Sequence, residues 1–131
     1  MSKSAAPEGF NTVTPYLLVE NAAEVIDFMQ RAFHAQAIHK QELPNGVVVH
    51  AQVRIGDSMV MLGQAGGEMG PMPAMLYLYD ANVDAAYARA LGAGAESLRA
   101  PEDEDYGDRV AGVKDSQGNQ WWIASSGGAR K

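Results

Sequence analysis

Three histidines carry the most versatile chemistry in this chain of 131 residues. A neutral imidazole can take up or donate a proton near pH 7, and it can also bind a metal ion. His34 and His39 flank a predicted helix end, where the helix dipole favours a cation. His50 falls in the middle of a predicted strand, on one face with Gln52 and Arg54. We expect His50 to act as a base or hydrogen-bond donor toward a ligand, or else to be a structural histidine bonded to a neighbouring loop.

The other reactive side chains lack the patterns that catalysis or metal binding requires. The chain contains no cysteine, which excludes disulfides, thiolate zinc sites, iron–sulfur clusters and cysteine nucleophiles. Ser58 falls in a predicted turn without the G-x-S-x-G elbow of serine hydrolases. Residues 64–73 are rich in glycine but lack the Lys-Ser/Thr ending of a phosphate-binding loop. The acidic run at residues 102–105 lacks the spacing of a calcium loop, so we expect it to be a solvated surface.

The charge balance narrows the possible partners. Asp and Glu number 16 against 10 Lys and Arg, a formal net charge of −6. Nucleic-acid backbones and anionic membranes attract basic surfaces, so we expect neither as a partner. No apolar run approaches the roughly 20 residues of a membrane span, and the first ten residues lack the apolar core of a signal peptide. We therefore predict a cytoplasmic protein.

A repeat in the sequence predicts the architecture. Residues 11–64 and residues 74–125 each read as strand, helix, strand, strand, strand, which gives an α+β fold of tandem βαβββ modules within one domain. Residues 65–73 form a predicted Gly/Pro linker between them. Residues 1–10 and 126–131 are small and polar, and we expect them to be flexible tails.

Each predicted helix has a recognisable beginning. Asn21 with Glu24 has the spacing of an N-cap and capping box, and Asn82 precedes the second helix. Apolar residues then recur with the helical period in both copies. Gly92 and Gly94 are expected to end the second helix.

Aromatic and methionine side chains concentrate on the predicted strands. Side chains alternate along a strand, so Tyr77 and Tyr79 share a face, while Trp121 and Trp122 must face opposite ways. A surface of Met, Tyr and Trp suits a flat organic molecule, but the same residues could pack a dimer interface or the sheet–helix core. Besides His50 and Gln52, the strands supply the ligand-binding candidates Tyr16, Met61, Tyr77, Tyr79 and Trp122.

Four segments of the chain resemble a known family. They are TPYLLVENAAEVIDFMQRAFHA, HAQVRIGDSMVML, DANVDAAYARALGAGAE and YGDRVAGVKDSQGNQWWIAS. Together they resemble the vicinal oxygen chelate superfamily of glyoxalases, bleomycin resistance proteins and dioxygenases, and its PhnB-like branch most of all. The last segment is the most specific, because members of the family commonly end in a D-x-x-G-N-x-W hairpin.

The resemblance implies a fold and a site. The fold is a cupped eight-stranded sheet around a cleft, usually in a homodimer. The enzymes of the family hold a divalent metal with His and Glu from the first and last strands of the modules, and the metal binds substrate oxygens. Here the strands near Thr14 and at Met75–Tyr79 offer no such ligand, residues 59–62 are apolar, and Trp122 stands near the usual Glu. We therefore expect no metal and no cofactor, with a divalent metal as the alternative.

Arg109 becomes a candidate through the same resemblance, because residues 106–109 match a recurrent family segment. Its guanidinium could clamp a carboxylate or phosphate with two hydrogen bonds. Alternatively, Asp108 and Arg109 could orient the loop at the edge of the module.

Several functions remain open at this point. The first is a protein without the family metal that binds or sequesters a small organic molecule in an apolar cleft, as a homodimer. The alternative is a lyase, isomerase or dioxygenase with an atypical site around His50. A third possibility is a structural or regulatory dimer with a vestigial cleft, and whether the protein is an enzyme stays open.

Overall fold

Two copies of one βαβββ arrangement make up the fold. The computed structural model describes residues 5–126, so residues 1–4 and 127–131 of the two predicted tails lie outside the described residues. In chain order the elements are β1 (Tyr16–Val19), α1 (Ala22–Phe33), β2 (Gln36–Glu42), β3 (Val48–Ile55), β4 (Ser58–Gln64), β5 (Met75–Tyr79), α2 (Val83–Gly92), β6 (Glu96–Asp103), β7 (Arg109–Lys114) and β8 (Gln120–Ser125). The predicted α+β class and the tandem repeat are confirmed.

Each copy forms its own four-stranded sheet with the same strand order. The first sheet runs β1-β4-β3-β2 and the second runs β5-β8-β7-β6. In both, the first and last strands of the copy are parallel neighbours, and the remaining pairs are antiparallel. The chain divides into two compact units: one contains the residues up to Gln30 with His34–Met72, and the other contains Arg31–Phe33 and the chain from Pro73 onward.

Asparagine caps begin both helices, as the sequence predicts. The Asn21 side-chain oxygen accepts a hydrogen bond from the Glu24 backbone N–H at 3.2 Å. The Asn82 side-chain oxygen accepts from the Ala85 backbone N–H at 3.1 Å. Each bond satisfies one of the backbone donors that the first helical turn leaves without a partner.

The helix ends differ from each other and partly from the prediction. His34 closes α1 in the left-handed conformation, with φ of 56°. His39, which the sequence pattern puts beside the same helix end, lies within β2, because the chain turns into that strand at Gln36. In α2 the last helical residue is Gly92, and Gly94 follows with a positive φ of 104°.

Alternating burial along the strands gives each sheet one buried face. In the first sheet the fully buried positions include Leu17, Val53 and Leu62. In the second sheet they include Val113 and Ile123, on the side where α2 contacts β6, β7 and β8. Burial of such side chains stabilises the fold by about 1.5–3 kcal/mol each. The opposite face of each sheet is the more accessible one, although in the second sheet Val110, Gly112 and Ala124 on that face are also buried.

The D-x-x-G-N-x-W hairpin is organised around one buried carboxylate. Asp115 is only 5% exposed. It accepts hydrogen bonds from the backbone N–H groups of Gln117 and Asn119 at 2.9 and 3.0 Å, and from Trp121 Nε1 at 2.9 Å. The Asn119 side-chain oxygen in turn accepts from the Ala74 backbone N–H at 3.0 Å, just before β5. This segment therefore fixes the hairpin before β8 and the start of the neighbouring strand.

The Gly/Pro segment at residues 65–73 is hydrogen-bonded to the first unit. The Met72 backbone N–H donates to the Leu18 carbonyl at 2.9 Å, and Ala65 donates to the Val19 carbonyl at 2.7 Å. Met72 thereby pairs with the edge of β1. The glycine-rich composition suggests a flexible segment, but these backbone hydrogen bonds hold it near both of its ends.

Neither helix in residues 5–126 is long and apolar enough to cross a membrane.

Candidate ligand-binding site

Four of the predicted site residues share the accessible face of the first sheet. Tyr16, Met61 and Gln52 lie side by side across β1, β4 and β3, and His50 pairs with Gly63 one step along. The Tyr16 hydroxyl is hydrogen-bonded to His50 Nδ1 at 3.3 Å. His50 is therefore bonded to a strand residue of the same face.

Gly63 makes room for the tyrosine on this face. A Cβ built on Gly63 would lie 2.5 Å from the Tyr16 hydroxyl oxygen, which is closer than real Cβ contacts. The absence of a side chain at Gly63 thus lets the Tyr16 ring cross the strand toward His50, with ring centroids 5.9 Å apart. The edge of the face is polar, since Arg54 donates a hydrogen bond to the Gln36 side chain at 2.8 Å.

The accessible face of the second sheet is aromatic. Tyr77, Trp122 and Gly112 lie side by side across β5, β8 and β7. The Trp122 ring covers Gly112, where an added Cβ would lie 2.6 Å from the ring carbon Cζ3. The other tryptophan, Trp121, is 1% exposed on the buried face and contacts Phe33 with ring centroids 5.3 Å apart. Trp122 is therefore the tryptophan on the more accessible face of the second sheet.

Tyrosines extend this aromatic face. The Tyr77 and Tyr79 ring centroids are 5.5 Å apart in an edge arrangement. The Tyr106 side chain, in the loop before β7, lies near that of Tyr77 and contributes to the raised pKa of Tyr77. The side chains of Tyr79 and Tyr106 are 70% and 69% exposed. We call Tyr77, Tyr79, Tyr106 and Trp122 the aromatic patch.

The hydroxyl of Tyr77 stays protonated at neutral pH. Burial raises the pKa of Tyr77 above its ordinary value of 10.0, and the neighbouring Tyr106, Tyr79 and Asp108 raise it further. A neutral phenol both donates and accepts hydrogen bonds. Tyr77 can therefore bind a polar group at the rim of the patch without adding charge.

Two members of this site carry no clear signal in the sequence. Tyr106 reaches Tyr77 from a loop, and a loop position is not fixed by strand alternation. Its signals are the resemblance of residues 106–109 to a family segment and Gly107, which has a positive φ of 100° and marks a turn. Gly112 is recognisable only once its strand partner Trp122 is known.

Arg109 lies apart from the other predicted site residues. It is the first residue of β7, and its side chain lies on the face toward α2. The next residue, Val110, pairs with Ala124, which pairs with Tyr79, so Val110 and not Arg109 lies on the face of Tyr79. The Arg109 guanidinium bonds the Asp84 carboxylate at 3.0 and 3.2 Å and the Asp103 carboxylate at 3.1 Å.

These two carboxylates are the main cause of the raised pKa of Arg109. The hydrogen bonds that Arg109 donates to Asp103 and then to Asp84 raise the pKa of Arg109 above its ordinary value. The contacts match the loop-orienting alternative, and a role for Arg109 in binding a ligand stays a prediction. The acidic run is also paired, since Glu102 and Glu104 both form ion pairs with Arg99.

The comparison with known proteins decides the family. The family model of the Glyoxalase/Bleomycin resistance protein/Dioxygenase superfamily matches residues 9–123. The chain belongs to this superfamily. An uncharacterized protein of Mycobacterium bovis is 37% identical over 120 residues, covering 83% of this chain and 79% of the relative. An uncharacterized protein of Mycobacterium tuberculosis strain H37Rv is also 37% identical over 120 residues, and the alignment covers 83% of this chain and 71% of that relative.

Solved structures share the fold at low sequence identity. TioX from Micromonospora sp. ML1 aligns with a TM-score of 0.76 at 21% identity, over 88% of this chain and 98% of TioX. The PhnB protein from Bacillus cereus aligns with a TM-score of 0.71 at 17% identity, over 88% of this chain and 100% of that protein. The fosfomycin resistance protein FosX from Mesorhizobium loti aligns with a TM-score of 0.66 at 14% identity, over 88% of this chain and 92% of FosX. These likenesses confirm the glyoxalase/bleomycin-resistance fold of the chain.

The residues of this chain do not fit the metal that the family enzymes hold. On β1, β4, β5 and β8 the accessible-face positions carry aromatic, aliphatic, thioether, amide or glycine residues in place of imidazoles and carboxylates: Tyr16, Leu18, Met59, Met61, Gly63, Met75, Tyr77, Tyr79, Gln120, Trp122 and Ala124. Among residues 5–126 no group of three or more His, Cys, Asp or Glu side chains is placed to hold a metal ion. Divalent zinc, nickel, iron and manganese need such donors.

Proposed function

We propose that the protein binds a small organic molecule on the aromatic patch, without using a metal. The observation that carries the proposal is Trp122 over Gly112 beside Tyr77, because it makes an aromatic floor that a flat molecule can cover. Tyr79 and Tyr106 stand at the rim with most of their surface in water. Covering such rings with a ligand removes apolar area from water and adds ring–ring contacts.

The family supports a binding or sequestering role. The superfamily takes part of its name from bleomycin resistance proteins, and FosX is named a fosfomycin resistance protein. By analogy we propose that this chain sequesters an organic compound, and that it belongs to the PhnB-like branch. The likeness to the Bacillus cereus PhnB protein supports that branch.

A naphthalene derivative provides a direct test. We expect 2-(naphthalen-2-yl)ethanol, a neutral probe, to bind saturably in calorimetry and to shift the Trp122 indole N–H signal in NMR spectra. The Trp121 indole N–H should respond less, because that ring is buried. Trp122→Leu and Tyr79→Ser should each weaken binding about 3- to 10-fold, the range expected for loss of a ring contact.

A matched control separates the patch from general surface effects. Val13→Ser removes an apolar side chain that is 80% exposed in the other unit, and it should leave binding unchanged. Equal affinity in wild type and Trp122→Leu would refute the patch as the binding site.

The second candidate function is catalysis on the first sheet. It is favoured by the 3.3 Å hydrogen bond between the Tyr16 hydroxyl and His50 Nδ1. With Nδ1 engaged, Nε2 is the ring nitrogen that would exchange a proton with a substrate. Such an enzyme would be a lyase, isomerase or dioxygenase with an atypical site. Turnover that survives His50→Gln would remove this candidate.

We also propose that the protein works as a cytoplasmic homodimer. Exposed methionine side chains outside the aromatic patch, such as Met72 at 65% and Met75 at 66%, are typical of surfaces that a partner covers. Sedimentation equilibrium should give the mass of two chains, and the mass of one chain at all concentrations would exclude the dimer.

A further inference from the structure

The loop between β6 and β7 turns back over the accessible face of the second sheet. It covers residues 104–108 and carries Tyr106, and we call it the β6–β7 loop. Across the sheet, Tyr77 is aligned with Gly112, which lies in the interior of β7 and not at its start. The Tyr106 side chain nevertheless lies near Tyr77. The loop therefore folds back from the end of β7 toward the aromatic patch.

Two backbone hydrogen bonds close the β6–β7 loop. The Glu104 N–H donates to the Asp108 carbonyl at 2.7 Å, and the Gly107 N–H donates to the Glu104 carbonyl at 3.0 Å. Bonds within a loop set its internal shape. Its direction relative to the sheet is set by contacts with the rest of the unit, and two arginines make such contacts.

Arg99 holds the loop from the face that carries the patch. It pairs with Gly112, which pairs with Trp122, so these three residues share one face of the sheet. The Arg99 guanidinium donates to the Glu102 carboxylate at 2.8 Å and forms an ion pair with Glu104, the first residue of the loop.

Arg109 holds the loop from the opposite face. It donates to the carboxylate of its strand partner Asp103 at 3.1 Å, and to the Asp84 carboxylate in the first turn of α2 at 3.0 and 3.2 Å. A single exposed ion pair is weak, but a planar guanidinium bonded to two carboxylates restrains both of them. The acidic run at residues 102–105 is thus bonded to arginines on both faces of the sheet.

We infer that Arg99 and Arg109 are positioning residues for the ligand of the aromatic patch. By holding the base of the β6–β7 loop from both faces, they keep the Tyr106 ring beside Tyr77, where a flat molecule on Trp122 meets it. A ring that is held in place before binding loses less freedom when the ligand arrives. This inference rests on the proposed function and adds to it the device that sets the rim of the patch.

A double-mutant cycle tests positioning, with 2-(naphthalen-2-yl)ethanol as the probe in calorimetry. Tyr106→Ser should weaken binding about 3- to 10-fold, as for other rings of the patch. Arg99→Gln and Arg109→Gln should each weaken it about 2- to 5-fold, the range for exposed ion pairs. Each arginine change should have no further effect in the Tyr106→Ser background, because it acts through that ring. Glu104→Gln keeps the shape of its residue, and it should match Arg99→Gln even where an arginine variant is destabilised.

Salt gives a second readout, because the probe carries no charge. Its affinity for the wild type should fall as NaCl is raised to about 0.5 M, since screening weakens the ion pairs that hold the loop. The fall should be smaller in Arg99→Gln. Lys40→Gln removes one positive charge from an exposed position of β2 in the first unit and is the matched control. It should bind the probe as the wild type does, with the same dependence on salt.

The result that overturns the inference differs from the one that overturns the proposed function. Wild-type affinity in both Arg99→Gln and Arg109→Gln, or losses that multiply with that of Tyr106→Ser, excludes positioning while binding to the patch stands. Through-space NMR contacts between the Tyr106 and Tyr77 rings report on the loop without a ligand. Contacts that weaken in the arginine variants, in a wild type that binds no probe, refute the patch as a binding site and leave the arginines a structural role only.

Discussion

The Trp122 ring lies over Gly112 on the neighbouring strand, so close that a Cβ on Gly112 would come within 2.6 Å of it. The first sheet repeats the arrangement with Tyr16 over Gly63. In both cases a strand glycine creates the space in which an aromatic ring of the accessible face lies across the sheet. The glycines therefore shape the two candidate faces as much as the aromatic residues do.

Gly112→Ala should displace the Trp122 ring. The added methyl group cannot fit under the ring, so we expect a loss of about 1–3 kcal/mol in the free energy of unfolding, together with weaker binding of the naphthalene probe. Denaturant unfolding measures the first effect, and the Trp122 indole signal in NMR spectra measures the second. Gly70→Ala is the control, because nothing lies within 4 Å of its added Cβ. Wild-type stability with an unmoved indole signal would contradict the close approach.

Asp115→Ala should be among the most destabilising single substitutions in the second unit. It removes the acceptor for Asn119, Gln117 and Trp121, and leaves those buried donors unsatisfied. We expect a loss of roughly 2–4 kcal/mol in the free energy of unfolding, measured with urea. Asp57→Asn, on an exposed turn, should stay within about 0.5 kcal/mol of wild type. A similarly small effect at Asp115 would mean that the carboxylate does not hold the hairpin.

Local signals in the sequence predict much of the fold, because they depend on neighbours along the chain. The caps at Asn21 and Asn82 need only the first helical turn, and the apolar run Met75–Tyr79 forms the predicted strand. The sequence pattern predicts a first strand over Val13–Val19, but β1 begins only at Tyr16, because Pro15 has no N–H to donate to a sheet.

The site is less predictable because it depends on register. Alternation correctly groups Tyr16 with Met61 and Tyr77 with Tyr79. Whether Arg109 or Val110 faces the side of Trp122 depends on how β7 pairs with β8, and one sequence does not contain that information. The approach of Tyr106 to Tyr77 depends on the path of a loop.

His34→Gly should stabilise the protein. His34 has φ of 56°, a conformation that costs a residue with a Cβ about 1–2 kcal/mol and costs glycine little. After allowance for the greater freedom of glycine in the unfolded chain, we expect a gain of about 0.5–1 kcal/mol. Urea unfolding measures the gain. His39→Gly, in β2, should destabilise instead, and a loss at His34 would show that its imidazole makes a contact worth more than the strain.

Tyr77 should make the free energy of unfolding depend on pH in the alkaline range. Its pKa is raised in the folded state by burial and by Tyr106, so the folded protein holds this proton more tightly than the unfolded chain does. The resulting stabilisation is fully present below the unfolded value of 10.0 and is lost as pH rises through the folded pKa. Unfolding midpoints in urea should therefore fall above pH 10, and the fall should be smaller in Tyr77→Phe. An identical fall in both proteins would mean that Tyr77 does not titrate differently on folding.

Protein purified without chelators should carry no near-stoichiometric zinc, nickel, iron or manganese. The physical reason is the donor set: in residues 5–126 no three His, Cys, Asp or Glu side chains are grouped to hold a metal ion. Elemental analysis by mass spectrometry measures the content, and EDTA should change neither the thermal midpoint nor the affinity for the naphthalene probe. A bound metal that EDTA removes together with a fall in the midpoint would contradict the prediction. Ligand at about 100 times its dissociation constant should still add about 2.7 kcal/mol of stability in EDTA, because binding to the aromatic patch uses rings and not a metal.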